Sequence, residues 1–560
     1  MLHRSLGIFL LLCVTLTQVH AFESRGPILG AASNFSQSWQ PRALSGAESI
    51  GLTEFRDEVL WHNVEQIDGR LAFSSMRESY PSMLRARGAG MVLLVYTGHP
   101  NWESGHLPLS QEGQAAFARY TARIVERFPH IHTVEVGNEF NSHVFASVER
   151  WPTDLSARAQ AHVRLLEATA NAVQKVNPDI RIIGGAAHSI PLAWIEAVME
   201  HGGGKHMDAF VIHTYTTEPE HLYRQIMLMR QVPGLETMPI EITEFGTTNA
   251  EDTPGYLLRN YCQMALSGVT RAVWYPFSPR GDGLIPLLEA SGEPTGVGRA
   301  YRLIRDNFEG KEAVSIAPDA FTYGCKFGES VAIVWGAPRD IEILSETVKV
   351  FDQEGAPANG QLQLSRTAPL VLVDSTSQVP IEEQFTLAPQ SVLADSYDQY
   401  FYQDRPDTEV FDRFVEHRGE RVEFEFRPGQ QTNGVPWTPY LGISQDGSVR
   451  MTPEWAMPSS WGADDPFEIV YRYVSPNAQR SRVSVTIAPS EESADGVLIS
   501  VRLNQKIEHQ VAVTSEKTLV FENIALGQGD KLDVVLGPNR NSEGDFSTLR
   551  VTIEREDDNV

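Results

Sequence analysis

The chain has 560 residues, 42% hydrophobic and 21% charged, with 46 basic against 72 acidic side chains and a formal charge of −26. This composition belongs to folded chains with room for several cores and excludes collagen-like, coiled-coil or wholly disordered architecture. So acidic a chain repels phosphate backbones and anionic bilayers, which argues against nucleic-acid and membrane-surface partners.

Residues 1–21 open with His3 and Arg4, continue in an apolar run over 6–16 and end in Val19-His20-Ala21. That pattern predicts a secretory signal peptide cleaved after Ala21, hence a secreted or periplasmic protein. The run is too short to span a bilayer, and no transmembrane segment is expected after processing. Cys262 and Cys325 then remain, too few for a disulfide framework.

Between 22 and 310, short apolar stretches alternate with helix-length amphipathic ones. Strands are predicted at 28–33, 51–56, 91–96, 133–137, 180–185, 209–213, 240–243 and 271–275. Helices are predicted at 111–128, 155–176, 191–201, 218–231, 253–267 and 294–308, with entry signals such as Pro152-Thr153-Asp154. Eight strands alternating with helices predict a parallel α/β fold, the (β/α)8 barrel. A doubly wound sheet would carry a glycine-rich phosphate loop after its first strand, and Gly30-Ala31-Ala32-Ser33 supplies none.

Past residue 310 the period falls to two. Residues 311–393 predict a β-sandwich, with strands at 331–335, 348–351, 362–364 and 370–374. The polar, acidic and aromatic stretch 397–416 reads as a connector. Residues 394–560 predict a second all-β, jelly-roll-like module, in which Trp437, Trp455 and Trp461 are candidate carbohydrate platforms.

Functional side chains of a parallel barrel sit where its strands end. Strand four ends in Gly137-Asn138-Glu139-Phe140 and strand seven in Ile242-Thr243-Glu244-Phe245. Two glutamates facing one another across a barrel mouth are what glycosidic cleavage requires. One protonates the leaving oxygen, and the other attacks the anomeric carbon or activates water. Strand two ends in Arg56, a bidentate carboxylate partner, and strand six in His213-Thr214-Tyr215, which offers a hydroxyl to a carboxylate. Trp274 ends strand eight as a candidate floor for a sugar ring, and His99 and Trp102 follow strand three as candidate subsite residues.

Glu135 lies four residues before Glu139 on the same strand face, deeper, and is expected to be paired. Glu241 is placed on the face opposite Glu244, as the weaker candidate. His130-Ile131-His132 precedes strand four, at the wrong end for chemistry, so no metal site is expected. A glycan on the sequon Asn34-Phe35-Ser36 would block the mouth, which favours a bacterial source.

Arg56, Asn138-Glu139, His213-x-Tyr215, Glu244 and Trp274, each after its strand, resemble the pattern of clan A glycoside hydrolases over residues 27–310. The run Arg56…Trp61…Glu65…Gly69…Phe73, with Asn177-Pro178-Asp179 and Ile183-Gly184-Gly185, is similar to family 39 and related bacterial exopolysaccharide hydrolases. The resemblance implies Glu139 as acid/base and Glu244 as nucleophile, with retention of configuration. It implies Asn138 on the sugar 2-hydroxyl, Arg56 and Tyr215 orienting Glu244, Trp274 under the sugar, and no cofactor. A barrel followed by a sandwich also fits that family; the last module does not belong to its basic pattern. Family 39-like enzymes act on xylosides, uronides, arabinose-containing chains and exopolysaccharides, while the net charge points to a neutral or mildly charged glycan. The alternatives are a non-catalytic glycan-binding or matrix protein on a barrel scaffold, and a transglycosylase using the same residues.

Overall fold

The structure, a computed structural model, describes residues 22–146, 152, 154–376, 378–403 and 410–556. The expected leader lies outside the described residues, and among them no helix is long and apolar enough to cross a membrane. Eight parallel strands close into a barrel. They are β1 (Ile28–Ala32), β2 (Glu54–Glu58), β3 (Gly90–Val95), β4 (Ile131–Val136), β5 (Arg181–His188), β6 (Ala209–His213), β7 (Ile240–Phe245) and β8 (Val269–Trp274). β1 closes the barrel by pairing with β8, Ile28 opposite Arg271 and Ala31 opposite Trp274.

All eight predicted strands are present, and the second is displaced along the chain. β2 continues two residues past Arg56, so Glu58 reaches the mouth as well. Helices cover the barrel. Ser110 caps Gln111–Arg127 by accepting from the Gly113 N–H, and Asp154 caps Leu155–Val176 by accepting from Ser156. Their apolar faces, including Phe117, Ile124, Leu165 and Leu166, are buried in the core around the barrel.

Alternation along the strands fills the barrel interior in layers. At the amino end Arg271 pairs with Glu54 at 2.7 Å and Glu241 at 3.2 Å, Arg181 with Glu241 at 2.6 Å, and His132 with Glu54 at 3.0 Å. Above these ions Val92, Ile183, Ala209 and Val211 form an apolar cluster of their own. A polar layer of Arg56, Glu135, Thr243 and His213 follows, and then the mouth. The expected placement of Glu241 away from the Glu244 face is corrected by a bulge. Ile212 lies opposite Ile242 but His213 opposite Glu244. The extra residue lets Glu241 and Glu244 both face inward, at opposite ends of the barrel.

After the barrel comes a five-stranded antiparallel sheet built from Ala313–Ser315, Thr322–Phe327, Val331–Gly336, Val348–Phe351 and Leu370–Asp374. The strand expected at 362–364 is reduced to a bridge between Gln363 and Asp340. An eight-stranded and a seven-stranded antiparallel sheet then share one core, with Val483, Val485 and Val551 from the first meeting Val497, Ile499 and Val534 from the second. Val392–Asp395 pairs with Ser547–Arg555 and so crosses the expected boundary at 393/394.

Over its described residues 397–403, the stretch read as a connector is a buried joint. Its described end is the strand Phe411–His417. Upstream, the Tyr397 hydroxyl donates to Glu220 at 2.9 Å and the Gln225 amide to the Tyr402 hydroxyl at 2.8 Å, both on the barrel helix Pro219–Met229. Asp395 and Asp398 each bind Arg366 and Arg550, so the acidic residues serve as anchors between modules rather than as a solvated face.

Cys262, on the helix Thr253–Leu266, is disulfide-bonded to Cys325 in the five-stranded sheet, with Cα atoms 5.9 Å apart. The bond ties the barrel to the module that follows it. Peptide mapping without reduction should recover the Cys262–Cys325 cross-link; two alkylatable thiols in unfolded, unreduced protein would contradict it.

Candidate active site

Arg56 stands at the centre of the polar layer, 3% exposed. Its Nε and Nη2 donate to Glu135 at 2.7 and 2.8 Å, and its Nη1 donates to Glu244 at 2.5 Å. Burial alone would raise both carboxyls, but the guanidinium outweighs it and holds Glu135 down at about 2. For Glu244 burial is likewise outweighed, by the His213 and Arg56 charges and by the Tyr215 hydroxyl, which donates at 2.9 Å. Glu244 is therefore an ionised carboxylate with fixed orientation. Burial and the Glu244 charge keep Tyr215 protonated, far above its ordinary range.

Glu139 reaches the mouth by a turn rather than by strand alternation. Gly137 has φ +88° and Glu139 itself has φ +47°. A Cβ at Gly137 would sit 2.8 Å from the Phe140 ring, so the turn requires glycine. A glutamate in the left-handed region is strained, and such strain persists where surrounding packing over-determines it. Phe140, fully buried, supplies part of that packing, with its N–H bonded to Ala186 O at 2.9 Å.

His213 joins the two glutamates. The Thr243 hydroxyl donates to Glu135 at 3.0 Å, so its oxygen is left to accept from His213 Nε2 at 3.1 Å. Nδ1 faces Glu139 Oε1 at 2.9 Å and Glu244 at 3.9 Å. One oxygen from each glutamate and one His213 nitrogen lie within 4.8 Å of one another. Burial lowers the imidazole, but the Glu244 charge and the surrounding carboxylates lift it to about 9. One proton is thus held between Nδ1 and Glu139, on the side away from Arg56.

The mouth opens into a cavity of about 330 Å³ lined by Arg56, Asn138, Glu139, Tyr215 and Glu244. Asn138 Oδ1 lies 3.5 Å from Arg56 Nη2. Three predicted site residues stand apart. Trp274 is fully buried against Phe245 and Tyr256, its indole bonded to Ile285 O at 3.0 Å. The reason is alternation: Arg271 faces into the barrel, so Trp274 faces the helices and Tyr275 lines the cavity instead. His99 is buried beside Trp61 with Nε2 on Glu65 O at 2.9 Å, and Trp102 packs against the barrel core.

Residues not anticipated from sequence also line the cavity: Glu58, Tyr96, Phe145, Arg280 and Asp282. For Glu58 the signal was available, because Glu54, Arg56 and Glu58 share one strand face. Burial pushes Glu58 up to about 7, the Gln37 hydrogen bond opposing and the Asp57 charge adding, and its Oε2 has no protein partner.

No protein-family model matches the chain, and no curated protein matches it. Among solved structures it is similar to a family 39 glycoside hydrolase from the gut symbiont Bacteroides cellulosilyticus, at 18% identity and a TM-score of 0.53, over 63% of this chain and 81% of that one. A family 39 β-xylosidase from Caulobacter crescentus matches at 14% identity and a TM-score of 0.49, over 64% of this chain and 98% of that one. A family 30 endoxylanase from Clostridium papyrosolvens matches at 13% identity and a TM-score of 0.49, over 63% and 97%. The first of these shares its barrel fold with this chain.

The position of His213 carries a pH signature. Its folded value of about 9 lies above the ordinary 6.5. The stability it contributes is therefore complete below pH ~6.5 and lost as pH rises through ~9. The melting-temperature gap between wild type and His213→Gln should be widest in mildly acidic buffer and close progressively toward pH ~9. A gap independent of pH would contradict the charged imidazole.

Proposed function

We propose that this chain is a retaining glycoside hydrolase in which Glu244 is the nucleophile and Glu139 the acid/base. The observation that carries this reading is the carboxylate pair across the barrel mouth, with oxygens within 4.8 Å of each other through His213. So close a pair suits direct attack, which uses carboxyls about 5–5.5 Å apart, better than the wider gap that holds a water.

The supports of the two glutamates differ, and the difference assigns the roles. Glu244 is kept anionic by Arg56 and Tyr215. Glu139 contacts His213, whose Nδ1 carries a proton toward it. In the first step a Glu244 oxygen bonds to the anomeric carbon as the glycosidic C–O bond breaks, and the proton held by Glu139 passes to the departing oxygen. In the second, Glu139 takes a proton from water, the water oxygen bonds to the anomeric carbon, and the bond to Glu244 breaks. Between steps Glu139 is a carboxylate and so can act as the base, and the proton it takes from water restores the one shared with Nδ1 across the 2.9 Å contact. Asn138, which lines the cavity, is the candidate partner of the sugar 2-hydroxyl.

A neutral glycan suits the cavity. Among the described residues lining it, the cations are Arg56, bound to two glutamates, and Arg280, bound to Gln37 at 2.7 Å. Action outside the cytoplasm is proposed from the leader and the disulfide together.

Glu244→Gln should abolish reducing-end release from a panel of neutral polysaccharides while the chain still folds, with its far-ultraviolet circular dichroism unchanged. Near-full activity in that variant would remove Glu244 from the reaction. Glu139→Ala should lose at least ~100-fold on glycans, keep aryl glycosides with good leaving groups, and recover activity with azide. Neither sparing nor rescue would deny Glu139 the acid/base role.

A further inference from the structure

The last β-module reaches the candidate active site. Its segment 428–438, which joins the paired strands Glu425–Arg427 and Tyr440–Gly442, reaches the loops that follow β4 and β5. Pro428 O accepts from the Leu192 N–H at 3.0 Å. Gln430, with φ +56°, exchanges two hydrogen bonds with Asn141: Nδ2 of Asn141 donates to Gln430 Oε1 at 2.9 Å, and Gln430 Nε2 donates to Asn141 O at 2.8 Å. Asn141 is fully buried and Gln430 is 8% exposed, so this pair is a built contact and not a grazing one. Asn141 stands two residues after Glu139 and also binds the His188 backbone on both sides, Nδ2 to O at 3.1 Å and Oδ1 from N at 2.9 Å.

Through this joint the module places Trp437 edge-on to the His188 ring at 5.2 Å. On its other side His188 stacks on Phe145 at 5.1 Å, nearly parallel at 12°. Phe145 and His188 both line the mouth cavity. Phe145 is 45% exposed, so its ring is open to the cavity as well as to His188. His188 is held neutral by burial, so the three rings present flat, apolar faces and no charge.

We infer that Phe145, His188 and Trp437 form the subsite for the sugar on the leaving-group side of the scissile bond, a subsite completed in trans-modular fashion by the last β-module. This rests on the assignment of Glu139 as acid/base. The acid stands beside the oxygen it protonates, so the departing sugar lies on the Glu139 side. That side is flanked by Phe145 in the loop after β4, by His188 at the end of β5 and by Trp437 from the last module against His188. The ring undergoing attack lies toward Glu244, Glu58 and Arg280. Flat apolar rings beside hydrogen-bonding groups suit the C–H face of a neutral sugar. The last module is then part of the catalytic cleft and not an independent binding appendage.

The test uses the full chain with two substrates of one sugar, taken from whichever panel polysaccharide the wild type degrades: the oligosaccharide and the glycosyl fluoride, whose leaving group fills no sugar subsite. For Trp437→Ala, the ratio of kcat/KM on the oligosaccharide to that on the fluoride should fall about tenfold or more. Ile507→Ala, a change in an exposed side chain of the same module, should leave that ratio at the wild-type value. An unchanged ratio in Trp437→Ala, or equal losses on both substrates, would overturn the subsite. Calorimetric titration of the oligosaccharide into Glu244→Gln with and without Trp437→Ala separates the two claims. Binding that depends on Trp437, together with undiminished hydrolysis in Glu139→Ala, would sink the acid/base assignment and keep the sugar-binding role of the rings. Hydrolysis with no dependence on Trp437 would do the reverse.

Discussion

Everything at the barrel mouth depends on one buried guanidinium. Arg56 lies where the interior changes from apolar to ionic and satisfies two carboxylates from two other strands. Such a group is costly to desolvate, and breaking a pair of this kind commonly costs about 3–5 kcal/mol. The arrangement therefore does more than stabilise. Glu135 neutralises the arginine from below, through two bonds, which frees Nη1 for Glu244 without leaving a net cation in the barrel. Charge on Glu244 is then a property of the fold, present before any substrate arrives.

The rest of the site is organised by asymmetry. Two glutamates only a few ångströms apart cannot both serve as acids or both as nucleophiles, so their surroundings have to differ. Glu244 is fixed by an arginine and a tyrosine, neither of which gives up a proton. Glu139 meets an imidazole that does. Backbone features set the same division. A bulge in β7 turns both Thr243 and Glu244 inward, one as a relay to His213 and the other toward the cavity. The left-handed turn at Gly137–Glu139 lifts the second glutamate out of the strand and into the mouth.

Much of this was legible in the sequence, and what was not has identifiable causes. Alternation of apolar strands with amphipathic helices placed all eight barrel strands, and the residues ending them located Glu139, Glu244, Arg56 and Tyr215. Errors arose where the local period broke. The bulge in β7 inverted the expected side of Glu241, and the two extra residues of β2 hid Glu58. Trp274 was taken for the sugar floor because tryptophan at a strand end suits that role. Counting from Arg271 assigns the inward position to Tyr275. His99 was misplaced for another reason: its loop folds back onto Trp61 and Glu65, and nothing in the spacing encodes that return. The approach of Trp437 to His188 was out of reach altogether, since it depends on how a module of the far C-terminus docks. The acidic stretch at 397–416 reads as a connector because the arginines that anchor its start, Arg366 and Arg550, lie outside it in sequence.

The most direct measurement of the central claim is covalent trapping. Wild-type protein would be incubated with activated 2-deoxy-2-fluoro glycosides of the sugar it releases, digested, and mapped by mass spectrometry. The account predicts one glycosyl adduct, on the peptide that carries Glu244, with the initial product retaining its anomeric configuration. An adduct on any other residue, or turnover with inversion, would contradict it.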